Sequence, residues 1–136
     1  MSIAAMETVP AALWAGRILS GLVIAFMVLD AGMKLLAVQP VIDAQRELGF
    51  PDSVGLARGL GVLLLACTIL YAFPKTAVVG AVLLTGYLGG AIAVHLRLDH
   101  PWLTHTLFGA YVGVAAWAGL LARRADLRAL LFPGGG

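Results

Sequence analysis

Asp30 and Lys34 stand four residues apart with the acid ahead of the base, the spacing and order that on a helix make a neutralised pair on one face. His95 and His105 are imidazoles able to give or take a proton near neutral pH, and Tyr87 lies two helical turns before His95. Arg58 adds a planar fork for a carboxylate or an electron-rich ligand. These types suit acid–base chemistry, with His95 or Asp30 as base and Lys34 or Arg58 stabilising developing negative charge. They do not suit a metal. His95, His100 and His105 follow in five-residue steps, each turning a helix by about 140° net, so they miss a common face. There is no CxxCH motif, which makes haem the less expected cofactor, and the cofactor itself stays open at this level. Cys67 is the single cysteine, so intrachain disulfide and dithiol chemistry are excluded, and it reads as a small core hydrophobe.

The elements that must position these groups follow from composition. The 136 residues are 61% hydrophobic and 12% charged, with a mean hydropathy of +0.97, well above the roughly 45–50% apolar usage of soluble domains. A single domain this small cannot hide so much apolar surface from water, so lipid is its expected solvent. The net charge of +2 is scattered, with no basic stripe, and nucleic-acid binding is excluded.

The fold class expected is all-α, an integral membrane four-helix bundle with both termini on one side. Spans are predicted over residues 11–37, 54–72, 76–96 and 102–122. The 21 residues between Lys75 and Arg97 carry no formal charge and match the roughly 20 that cross the hydrocarbon. Between the first two spans, Gly49-Phe50-Pro51 is expected to break any helix begun at Val41, leaving an interfacial segment. No cleaved leader is expected, because the first apolar stretch outruns a signal-peptide core.

Alternating spans bring Asp30, Lys34, Arg58, His95 and His105 to one half of the bilayer. An ionisable group alone in a span costs about 2.5–3.5 kcal/mol, so these groups should face one another, Arg58 reaching Asp30. Lys75, Arg123, Arg124 and Arg128 on the terminal side, against Arg46 and Arg97 opposite, favour cytoplasmic termini in a multi-pass protein of the cell membrane. Gly55/Gly59, Gly86/Gly90 and Gly109/Gly113 are GxxxG pairs expected to pack the helices of the chain, or else to join copies in a homo-oligomer. Trp14, Trp102, Trp117, Tyr71 and Phe73 are expected at the membrane interface.

Gly32-Met33-Lys34-Leu35, the Leu48-Gly49-Phe50-Pro51 turn and the string from Gly80 to Arg97 (GAVLLTGYLGGAIAVHLR) resemble the DoxX-like membrane proteins across nearly the whole chain. The resemblance implies a four-helix integral membrane protein and marks Lys34, Gly86, Tyr87, Gly89, Gly90, His95 and Arg97 as important positions, without assigning a catalytic role. It also implies a setting near membrane oxidoreductases. The expected site is thus Asp30, Lys34 and His95 for chemistry, with Arg58, Tyr87, Arg97 and His105 for ligand binding.

Three functions follow from this set. In the leading one, the polar groups form a pocket for a quinone or other lipophilic molecule, and the protein serves as a membrane partner of an oxidoreductase. The second is a stand-alone membrane enzyme, an isomerase or an epoxide-opening catalyst acting on a hydrophobic substrate. The third is a non-catalytic assembly factor that binds other helices. Whether the protein is an enzyme stays open at this level.

Overall fold

The computed structural model describes residues 3–99, 101 and 107–134. Among these the chain is all helical: α1 (Ile3–Leu35), α2 (Gln39–Glu47), α3 (Val54–Ala72), α4 (Ala77–Arg97), α5 (Phe108–Arg123) and α6 (Ala125–Leu131). Three segments, Ala11–Leu35, Val54–Ala72 and Ala77–Arg97, are long and apolar enough to cross a membrane. The described part of the expected fourth span is α5, apolar but 16 residues long. Trp102 and the other residues from 102 to 106 lie outside the described residues.

Packing links α1 to α3 and α5, and α4 to α3 and α5. Polar and glycine contacts fix the directions as antiparallel. At one end Gly16 of α1 meets Gly119 of α5, and Ser20 meets Tyr71 near the end of α3. At the other end Arg58, early in α3, donates to the Leu35 carbonyl that closes α1 (3.2 Å). The shared core is built from small and aliphatic residues of all four helices, among them Ala31, Leu64, Ala81 and Leu120, none more than 1% exposed. Cys67 is buried within it. Outward, Ile18, Leu22, Leu29, Val62, Val79 and Val114 are largely exposed. Apolar faces of that extent are unfavourable against water and are satisfied by acyl chains.

Four local expectations are corrected. Residues 39–47 form a helix, α2, where an interfacial segment was expected in which Gly49-Phe50-Pro51 breaks any helix begun at Val41. Pro40 lies in its first turn, where a missing N–H costs nothing, and Gly49 takes a left-handed φ of 82° as the closing residue. The Phe50 and Gly49 amides then donate back to the Gln45 and Arg46 carbonyls. The glycine and proline bound the helix and do not prevent it.

Second, α1 starts at Ile3, eight residues before the expected position, so Pro10 lies inside it. Third, Tyr71 is not an interfacial aromatic but is fully buried. Its hydroxyl donates to the Ala116 carbonyl (2.6 Å) and pairs with the Ser20 hydroxyl (3.0 Å), joining three helices. A buried phenol needs such partners, and Arg123 covers its ring at 5.3 Å.

Fourth, the helices meet at glycines other than most of the GxxxG pairs. A Cβ at Gly55 would meet only its own N-cap, Ser53, and at Gly59, Gly86 or Gly90 it would meet nothing within 4 Å. Gly109 does pack on Leu88 and Ile92 of α4. The closest approach is at Gly80, where a Cβ would fall 2.1 Å from the Tyr71 backbone nitrogen. Only glycine lets α4 pass the end of α3 there.

Candidate functional site

A cavity of about 630 Å³ opens in the half of the molecule away from Tyr71. Its walls are the end of α1 (Phe26 to Lys34), Leu60 of α3, the second half of α4 (Gly86 to His95) and Phe108-Gly109 of α5, and α2 roofs it through Pro40, Val41, Ala44, Gln45 and Leu48. The volume lies within the roughly 300–1,000 Å³ of small-molecule sites. Most of the lining is apolar, and the charged and hydrogen-bonding groups are few: Asp30, Lys34, Gln45, Tyr87 and His95.

Asp30 and Lys34 form the expected i, i+4 pair, with Lys34 Nζ 2.5 Å from Asp30 Oδ2 and the two side chains 34% and 18% exposed respectively. The pair leaves the wall close to neutral. Lys34 uses one donor on Asp30, so further donors remain for an acceptor in the cavity. A neutral head group with carbonyl or hydroxyl oxygens fits this wall better than an anion does.

Of the expected site residues, the structure brings Asp30, Lys34, Tyr87 and His95 to the same cavity. Arg58 is not part of it. In place of the expected fork onto Asp30, its Nε caps the last carbonyl of α1, because one turn into α3 it faces the open end of that helix. Arg97 is also outside the lining; its Nη2 reaches the Leu48 carbonyl (3.4 Å) and ties the end of α4 to the end of α2. His105 and His100 lie outside the described residues. No group of three metal-ligating side chains occurs among the described residues.

Gln45 is a site residue that sequence reasoning missed. It is 4% exposed, and its Nε2 donates to the Pro51 (3.3 Å) and Ser53 (3.1 Å) carbonyls, which locks the α2 roof onto the turn entering α3. Its Oε1 has no hydrogen-bond partner among the described residues. On the water side Arg46 holds Asp52 (2.6 Å), a hydrogen bond and charge that raise the Arg46 pKa. The signal was present in the spacing of Val41, Ala44, Gln45 and Leu48, which is one helical face. Gly86 and Gly90 also line the cavity, and the space beside them is open.

A fold of apolar helices with exposed aliphatic faces, enclosing a cavity with a neutralised ion pair, defines a helical membrane protein. The profile of the DoxX-like family matches residues 18–119, three quarters of the chain, and the protein belongs to that family. No curated protein and no solved structure gives a match.

Proposed function

We propose that the cavity binds a quinone or a comparable lipophilic molecule with a polar ring, and that the protein acts as a membrane partner in an oxidoreductase system. The observation that carries the binding reading is the grouping of Asp30, Lys34, Tyr87 and His95 on the lining of an otherwise apolar cavity. The redox setting rests on the family resemblance alone. His95 and Tyr87 can exchange hydrogen bonds with ring oxygens, and Lys34 can donate to one. Arg97 acts here through α2, as a positioning residue. The reading extends to four spans with both termini in the cytoplasm, supported by the antiparallel contacts and by the cations Lys75, Arg123, Arg124 and Arg128 at one end.

The test is titration of the purified chain in mild detergent with a short-tail benzoquinone, followed by quenching of tryptophan fluorescence. Lys34→Met, His95→Phe and Asp30→Asn are each expected to weaken binding tenfold or more, consistent with about 1.5–3 kcal/mol for hydrogen bonds to charged groups. The double variant Asp30→Asn/Lys34→Met removes the pair without stranding a charge and controls for folding. Unchanged binding in all four variants sinks the reading.

A second reading, an assembly partner or homo-oligomer, is favoured by one observation. Gly55 and Gly59 lie exposed on α3 with Val62, and among the described residues no other helix comes within 4 Å of a Cβ built at either glycine. Small residues on a lipid face permit close contact with another helix.

A further inference from the structure

A second, largely apolar groove of about 220 Å³ runs along the outside of the molecule, in the seam between α1 and α5. Leu22, Val23 and Phe26 form one side, and Tyr111, Val112 and Ala115 the other. Phe26 lines this groove and the main cavity alike. Its ring lies against Phe108, another cavity residue, with centroids 5.4 Å apart and planes tilted by 57°. Both rings are about two-fifths exposed on the membrane face. Among the described residues, the aromatic side chains of Phe26 and Phe108 stand where cavity and groove adjoin.

We propose that this seam is the tail exit of the cavity ligand, so that the ligand is an amphiphile with a long hydrocarbon tail. The inference rests on the binding reading above and names the ligand class more narrowly. The polar head sits by Asp30 and Lys34, and the tail passes Phe26 and lies in the groove. From Asp30 back to Leu19, the deepest groove residue on α1, is 11 residues, or about 16 Å at 1.5 Å per residue. That is roughly half the hydrocarbon thickness, a distance a compact head group cannot fill. Beyond Leu19 the seam closes: a Cβ at Gly16 would lie 2.8 Å from the Gly119 carbonyl oxygen. The tail must leave sideways into lipid. A ring is the right gate for this passage, since a χ1 change moves Phe26 without moving α1. Hydrocarbon suits the groove because its lining is apolar apart from the Tyr111 hydroxyl, so a polar chain would lose its water without recovering hydrogen bonds.

The experiment compares a benzoquinone bearing a single isoprene unit with a long-tail homologue of the same head, both bound to the full chain in lipid nanodiscs. Wild type is expected to prefer the long tail by tenfold or more. Ala115→Phe fills the groove outside the cavity. It is expected to abolish that preference while leaving short-tail affinity within twofold, and Leu22→Trp provides a second plug should the first fail to fold. Val114→Phe, the same kind of enlargement on the open lipid face, should keep the wild-type preference. Short-tail binding with no tail preference, or a preference that survives both plugs, overturns the tail exit and spares the head site. Absence of binding by either homologue overturns the head site and the tail exit together. A phospholipid that native mass spectrometry finds retained while the long-tail quinone is seated assigns the groove to bulk lipid, and also overturns the inference.

Discussion

Arg124 and Asp126 form a two-pronged pair just after α5, with Nε and Nη2 each 2.8 Å from a carboxylate oxygen. Hydrogen bonds from the guanidinium hold the Asp126 carboxyl down to about 2, although desolvation opposes them. A lowered pKa means the pair contributes fully above the ordinary carboxylate value of about 4 and is lost as pH falls from there toward 2. Arg124 also donates to the Pro74 carbonyl in the α3–α4 turn, so the pair helps dock α6. Relative to the intrinsic exchange rate at each pH, amide protection in α6 is therefore expected to fall over that acid range while the core of α3 keeps its protection. The effect will be small, because both partners are exposed to solvent. Inside the membrane, the Asp30–Lys34 pair was legible from spacing alone. The partner of Arg58 was not, because a backbone carbonyl at a helix end leaves no mark in residue types. For Gln45 the spacing marks the helical face, but its hydrogen bonds to the Pro51 and Ser53 carbonyls across a turn leave no such mark.

At the scale of elements, the glycines separate what sequence shows from what it hides. Spacing reveals a small residue but not the direction it faces. Gly80 lies under the end of α3, whereas a Cβ at Gly59 would meet nothing within 4 Å among the described residues. Gly80→Ala is expected to cost about 3 kcal/mol or more, since the added methyl meets backbone that cannot yield. Gly59→Ala is expected to stabilise the isolated chain by about 0.5–1 kcal/mol through helix propensity. Thermal unfolding in detergent distinguishes the two, and a loss of stability at Gly59 confined to an oligomeric fraction would locate a seam between copies. The apolar runs of α3 and α4 were readable because lipid demands continuous hydrophobicity. The short amphipathic α2 was masked by the residues that begin and end it.

For the whole molecule, the proposed sidedness rests on the distribution of cations, since contacts within one chain carry no information on it. The cytoplasmic-termini reading makes Leu130, 74% exposed, an inner position and Asp52 an outer one. Cys67 is 2% exposed and should stay silent to a water-soluble maleimide. Added to intact cells, such a reagent is expected to label Asp52→Cys and spare Leu130→Cys, and the reverse pattern inverts the topology. Membrane insertion itself was written throughout the composition. The cavity was legible only as an expectation that costly groups must meet, because its walls depend on which helices leave room beside Gly86 and Gly90.

The two ends of the protein differ in kind. Around Tyr71 the helices are clamped by glycine contacts, by the Ser20 and Ala116 hydrogen bonds and by Arg128 donating to the Leu121 and Ala122 carbonyls. The opposite end is hollow under a small roof whose two flanks, Ala37 and Gly49, both take left-handed backbone. A body stiff at one pole and compliant at the other yields first at the soft pole when the surrounding bilayer squeezes or thins. Lateral pressure in that one leaflet would then change the volume of the chamber before it disturbed the rest of the structure.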